Sequence, residues 1–190
     1  MRVIGGEFRS RVLKSLPGMD VRPTPDRLRE TLFNVLAPII HGVVFADVYA
    51  GTGAVGIEAL SRGASRTIFV EQNRAAADVI RQNLRSLDVM ARAELRVTRA
   101  SIALPQIEAG IVFLDPPYRL EQEYERCLTL LGERPARLVI AQHASRFQLQ
   151  DRYGKLRRVR LLKQGDNSLS FFEPSAERSD EPSPPEPITD

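Results

Sequence analysis

Three groups of residues in this chain have the types and the order that chemistry would need. Asp47 stands four residues ahead of a glycine loop, Gly51-x-Gly53-x-x-Gly56. Glu71 follows the first glycine by 20 residues. An apolar run, residues 111–114, is closed by Asp115-Pro116-Pro117-Tyr118. Glycines after a strand let the backbone approach a ligand closely. A carboxylate about 20 residues further on can accept hydrogen bonds from both hydroxyls of a ribose. As a bare pattern the loop fits a dinucleotide site, and it also fits a simple turn. Asp47 narrows the choice, because a carboxylate there repels a pyrophosphate and attracts a cation. S-adenosylmethionine has a ribose for Glu71 and a cationic amino-acid end for the Asp47 region. Asp47 fits equally well as a helix cap or a brace for the loop. The Asp-Pro-Pro-Tyr segment, read alone, is a strand end with proline stops and a core tyrosine. Read with the other two groups, it offers two acceptors, the Asp115 carboxylate and the Pro116 carbonyl, that could hold the N–H groups of an aromatic amine. Pro116 and Pro117 stiffen the loop and remove two competing backbone donors. Tyr118 has a ring on which a base can stack.

These residues need a scaffold that brings them together, and the hydrophobic pattern predicts one. Strands are expected over 43–48, 66–71, 93–98, 111–114 and 137–141. Helices are expected from 54 to Gly63, over 74–87 and over 121–131, the last with Tyr124, Cys127, Leu128 and Leu131 at i, i+3, i+4, i+7. Alternating strands and helices imply an α/β, doubly wound, mostly parallel sheet, whose ligands sit at the carboxyl ends of the strands. That rim would carry Asp47–Gly53, Glu71, Thr98–Ser101 and Asp115–Tyr118. Gly165-Asp166-Asn167 should turn a closing hairpin. Ahead of the core, residues 22–38 read as a helix with Thr24 as N-cap, Pro25 as first residue and Leu28, Leu32, Val35 and Leu36 as its stripe. Residues 1–20 read as a basic hairpin turned near Gly5-Gly6, residues 21–173 as the main domain, and residues 174–190 as a disordered, acidic, proline-rich tail.

Composition sets the class. No apolar run approaches the ~20 residues needed to span a bilayer. One cysteine, Cys127, and two histidines make neither an internal disulfide nor a usual zinc site, so a reducing cytoplasm and no metal are expected. Cys127 reads as core packing, and His41 and His143 as surface or loop residues. Residues 1–172 carry 26 basic and 18 acidic side chains, a net of +8, whereas the remainder carries −5. A body that basic suits a polyanionic partner. Arg2, Arg9, Arg11 and Lys14 are the leading RNA candidates, on an extension the core does not need. The basic run from Arg152 to Lys163 fits a solvated strand face at least as well.

Asp47, Gly51/Gly53, Glu71 and Asp115–Tyr118, together with "RVIGGEFRSRVL", "RPTPDRLRETLFNVL" and "YAGTGAVGIEALSRGA", resemble the bacterial 16S ribosomal RNA guanine-N2 methyltransferase family. This is a class I, S-adenosylmethionine-dependent group, and the likeness runs from Met1 to about Glu173. It implies a Rossmann-like sheet of seven strands whose last runs antiparallel. It further implies that Glu71 binds the cofactor ribose and that Tyr49, Ala50, Gly51 and Gly53 lie against its methionine part. Thr24 would sit near the cofactor carboxylate, with Arg22–Arg27 closing the site. Arg22 and Arg27 join the RNA-contacting set. The family usually has a polar residue followed by alanine near the adenine; here Ser101-Ile102 aligns. The expected substrate is a guanine in 16S RNA, free or in the small subunit, and the expected state is a monomer. The motif serves adenine N6 as well, so a DNA adenine methyltransferase is the alternative. An NAD-dependent oxidoreductase is disfavoured by Asp47.

Overall fold

A computed structural model describes residues 1–15, 26–117 and 120–175. The expectations for Arg22, Thr24, Pro25, Tyr118 and residues 176–190 lie outside the described residues. In chain order the elements are α1 (Asp26–Leu36), β1 (Val44–Val48), α2 (Ala54–Ser61), β2 (Arg66–Val70), α3 (Arg74–Ser86), β3 (Ala93–Arg96), α4 (Ala100–Ala103), β4 (Ile111–Leu114), α5 (Glu121–Glu133), β5 (Leu138–Ala144), β6 (Arg152–Tyr153), β7 (Leu156–Gln164) and β8 (Asn167–Pro174).

The strands form one sheet in the order β3-β2-β1-β4-β5-β8-β7-β6. β1 to β5 are parallel, and β8 runs antiparallel to both β5 and β7. The two-residue β6 pairs with β7 and adds an eighth strand to the seven expected. The chain winds outward from β1 through β2 to β3, then restarts at β4 on the other side of β1. The carboxyl ends of β1 and β4 therefore flank the switch point, where such sheets open a crevice. Val48 pairs with Leu114, and the Asp115 amide donates to the Val48 carbonyl at 3.3 Å, one step beyond the ladder.

Alternation along β1 sends Phe45 and Asp47 to one face and Ala46 and Val48 to the other. The Phe45 face is covered by α1 and α2, with Leu28, Leu32, Phe33 and Leu36 buried against it. The Val48 face is covered by α4 and α5 through Tyr124, Cys127 and Leu128. α2 packs so closely on β2 that a Cβ on Gly56 would stand 2.3 Å from Phe69 Cε1 and 2.8 Å from Thr67 Cγ2. Both neighbours are fully buried and cannot retreat. Gly56→Ala should therefore destabilise by about 1–3 kcal/mol through overpacking, despite the ~0.5–1 kcal/mol that alanine gains in a helix interior. Urea unfolding reads this directly; an unchanged midpoint would contradict the close packing.

Two expectations need correction. His143 is buried on β5, its Nε2 2.9 Å from Ser170 Oγ, and burial lowers its pKa, so it is neither a surface nor a loop residue. The N-terminal segment is also no free extension. It closes as a hairpin by Val3 N to Arg11 O (3.0 Å) and Leu13 N to Met1 O (2.9 Å), but Val3 and Leu13 share a core with α2 and α3. The Glu58 carboxylate, 1% exposed, accepts from Ile4 N (2.8 Å), Gly5 N (2.9 Å) and Arg62 Nε (2.8 Å). Arg29, also 1% exposed, donates to the Arg2 carbonyl at 2.7 Å and lies 3.8 Å from Glu58. An apolar strip on the hairpin and a buried ion-pair network thus fasten it to α2.

Candidate active site

The glycine loop leaves β1 through a sequence of left-handed residues: Tyr49 (φ +66°), Gly51 (+57°) and Gly53 (+79°). Such values are ordinary for glycine, but for Tyr49 they cost about 1–3 kcal/mol, which the surroundings must offset. Part of the offset is visible. The Tyr49 and Ala50 amides both donate to the Val70 carbonyl at 3.0 Å, and Gly53 N donates to Ala50 O at 2.7 Å. The Tyr49 hydroxyl donates to Glu123 Oε2 at 2.7 Å and lies 3.3 Å from Cys127 Sγ. Among the described residues a Cβ on Gly51 would meet nothing within 4 Å, so a ligand can come close to the backbone there.

Glu71 ends β2 beside this space. Its Oε2 accepts from Gly51 N at 2.8 Å and its Oε1 from Asn73 N at 2.7 Å. One carboxylate therefore fixes both the glycine loop and the turn into α3. Each oxygen keeps a further lone pair for a ligand hydroxyl. Asn73 caps α3 by accepting from Ala76 N at 3.0 Å.

Asp47 is 2% exposed and its Oδ2 accepts from Gly56 N at 2.8 Å, which caps the first turn of α2. Of the two roles open to it in the sequence, the helix-bracing one is thus realised. Burial pushes its carboxyl up to about 8; the Gly56 N–H offsets part of this, and the charges of Asp115 and Glu71 add to it. Asp47 therefore carries its proton near neutral pH, and the negative charge of the rim comes from Asp115 and Glu71. That suits a cationic ligand and opposes a diphosphate. Among the described residues no group of three histidines, cysteines or acids could hold a metal ion.

On β4's end, Asp115 is half-buried, Pro116 buried and Pro117 exposed, and Leu120 N donates to the Pro117 carbonyl at 2.8 Å. The Tyr124 hydroxyl, on α5, lies 2.7 Å from the Gln142 carbonyl and 3.4 Å from that of Pro116. With one hydrogen to give, it serves chiefly the nearer, so the Pro116 carbonyl keeps acceptor capacity. Ser101, half-buried, stands near the start of the short α4 after β3, with Ile102 57% exposed beside it.

Asp47, Tyr49–Gly53, Glu71 and Asp115–Pro117 are therefore brought to one rim. Arg2, Arg9 and Arg27 line a separate cleft of about 350 Å³ with Asp26 and Glu30, formed where the hairpin meets α1. Arg11 and Lys14 are exposed on the hairpin; Arg11 donates to the Ser86 carbonyl at 2.9 Å and Lys14 Nζ to Gln82 at 2.9 Å. Asn83 ties this hairpin to the glycine loop: Oδ1 accepts from Lys14 N at 2.8 Å, and Nδ2 donates to Thr52 O at 3.1 Å.

The family described as conserved hypothetical protein 95 matches residues 1–173. The chain belongs to that family. The Bacillus subtilis (strain 168) protein YlbH, provisionally named an rRNA methyltransferase, is 34% identical over 181 residues, 90% of this chain and 98% of that one. The Escherichia coli (strain K12) ribosomal RNA small subunit methyltransferase D is 42% identical over 120 residues, 63% of this chain and 61% of that one. A solved structure, the Escherichia coli protein yhhF, provisionally described as a methyltransferase, superposes with a TM-score of 0.79 at 33% identity, over 93% of this chain and 99% of that one. The fold is that of the class I methyltransferases, and the family match covers every element of the rim.

Glu58, Arg29, Asn83 and Glu123 were not singled out in the sequence. Each is a polar residue on a helix that reads as ordinary amphipathic surface. Only their partners, 27 to 74 positions away, distinguish them.

Proposed function

We propose that the protein transfers a methyl group from S-adenosylmethionine to the exocyclic N2 amine of a guanine in 16S ribosomal RNA. The observation that carries this reading is the shared rim: a ribose-competent Glu71 locked to an open glycine loop, beside a rigid Asp115-Pro116 pair. The names of the relatives, which refer to ribosomal RNA, support the substrate class.

The residues fit the cofactor, since among the described residues nothing crowds Gly51, and the rim carries the acids Glu71 and Asp115 with which a cation can pair. When bound, S-adenosylmethionine supplies an electrophilic methyl on sulfur and a neutral thioether as leaving group. Glu71 would hold the ribose hydroxyls, Tyr49, Ala50, Gly51 and Gly53 the methionine part, Thr24 its carboxylate, and Ser101 the adenine side. Asp47 would keep α2 and the loop in place.

A ring amine is a weak nucleophile because its lone pair is delocalised. The Asp115 carboxylate and the Pro116 carbonyl would each accept one of its N–H groups. That aims the lone pair at the methyl carbon and favours the positive charge that grows on nitrogen. The proton that the nitrogen must lose on gaining a methyl group would pass to Asp115 or to water. Tyr118 would stack on the extruded base.

Arg2, Arg9 and Arg27, with Arg11, Lys14 and Arg22, would contact RNA phosphates. Replacing Arg2, Arg9 or Arg27 with alanine should weaken rRNA binding and lower its salt slope by about 1 each, with cofactor affinity unchanged. A salt slope equal to wild type in all three would remove them from the interface. The reading as a whole is tested by labelled methyl transfer to 16S RNA and to small subunits from a strain lacking this modification, followed by nucleoside analysis. N2-methylguanosine is expected. N6-methyladenosine formed in duplex DNA, with rRNA untouched, would overturn it.

A further inference from the structure

Two loops must meet at one distance for methyl transfer, and one helix touches both. The glycine loop carries Tyr49, and the amine loop runs from Asp115 directly into α5. On α5, Glu123 accepts the Tyr49 hydroxyl at 2.7 Å, and its neighbour Tyr124 reaches the carbonyl of Pro116 at 3.4 Å and that of Gln142 at 2.7 Å. We infer that Glu123 is a positioning residue, which holds the glycine loop against α5 through the Tyr49 hydroxyl and so sets the spacing between methyl donor and amine acceptor. The inference rests on the methyltransferase reading.

The bonding order follows from the groups present. The phenol has one hydrogen, and the carboxylate at 2.7 Å takes it as a charge-assisted bond. The Cys127 thiol, 3.3 Å from the same oxygen, must then be the donor to it. It keeps its proton at neutral pH, because burial pushes it up to about 11. Arg126 Nη1, 3.2 Å from Glu123 Oε1, balances the carboxylate charge. The anchored side chain belongs to the one non-glycine residue of the loop with a left-handed backbone. Its release would let the Tyr49 end of the loop shift relative to α5, while Glu71 still holds the Gly51 amide at 2.8 Å.

The test compares Tyr49→Phe, Glu123→Ala, Glu123→Gln and the double variant Tyr49→Phe/Glu123→Ala. Three quantities are read: single-turnover methyl transfer at saturating cofactor and RNA, S-adenosylmethionine affinity by calorimetry, and melting temperature. Tyr49→Phe and Glu123→Ala should each slow transfer about tenfold or more, the scale of a small misplacement of reacting groups, with affinity changed less than threefold. The double variant should be no slower than either single one. Glu123→Gln, whose amide oxygen can still accept the phenol, should recover most of the rate. Wild-type transfer by Tyr49→Phe, additive losses in the double variant, or a loss confined to affinity or melting temperature would overturn the inference and leave the functional reading standing. No transfer by the wild-type protein would defeat that reading, and this inference with it.

Discussion

Alanine at position 115 is expected to lower methyl transfer by about 10²–10⁴-fold, the range for a group that positions or deprotonates the reacting atom, while S-adenosylmethionine affinity stays within a few-fold of wild type. Asp115 sits at the end of β4, and its amide is held by the Val48 carbonyl, so the backbone should keep its course without the carboxylate. The loss is then expected in transfer rather than in cofactor binding. Asn at the same position separates two roles. It retains an acceptor oxygen that can orient one N–H but cannot take up a proton near neutral pH. If Asn recovers most of the lost rate, Asp115 positions the amine and water removes the proton. If Asn is as slow as Ala, proton removal by Asp115 dominates. Single-turnover rates with rRNA, paired with calorimetric cofactor binding, provide the readout. An alanine variant with wild-type rate would eliminate the amine-clamp mechanism.

Glu71→Ala should have the second largest effect, and on a different quantity. The carboxylate holds Gly51 N at 2.8 Å and Asn73 N at 2.7 Å, and each bond to a charged acceptor is worth about 1.5–3 kcal/mol. Their removal frees the loop and strips the ribose of its acceptor, so cofactor affinity should fall about 100-fold or more, roughly 2.7 kcal/mol. Gln should not rescue it, because its NH2 would face one of the two N–H donors now satisfied by the carboxylate. Asp is one methylene too short to reach both. Titration with S-adenosylmethionine or S-adenosylhomocysteine decides the matter: an affinity within threefold of wild type would mean that Glu71 is only a loop brace. The Asp115 and Glu71 variants thus fail in opposite ways, one in rate and one in binding.

The parts readable in the sequence were those whose physics is local. Period-2 and period-3.6 patterns located the five parallel strands and the helices α2, α3 and α5, and strand–helix alternation gave the doubly wound order. Gly56 is legible as part of a spacing, and the structure supplies its reason in the approach of Phe69. Asp47 was placed correctly on the rim, but its geometry puts it under the loop as a cap for α2. What stayed hidden depends on contacts between distant segments. Tyr49 and Glu123 are 74 residues apart, and nothing in either neighbourhood announces the other. Glu58 reads as a charged helix residue, and its burial is evident only once the hairpin lies over it. His143 was misjudged for the same reason: its partner Ser170 arrives from β8, 27 residues later. The two-residue β6 is too short for any periodicity to register.

The hairpin's attachments also set an order of events during synthesis. Ile4 and Gly5 are made before their acceptor, Glu58, which lies 54 and 53 positions downstream, and the partner of Lys14, Asn83, lies 69 downstream. At a translation speed of about 5–20 residues per second, the basic N-terminus waits seconds before α2 and α3 exist to receive it. Throughout that interval Arg2, Arg9 and Arg11 belong to an unpaired cationic strand emerging beside a surface of RNA. Docking on Glu58 converts this strand into a shaped, defined face only when the helix that follows the glycine loop has folded. The hairpin is therefore made before the helices it docks on and cannot gain its final form ahead of them.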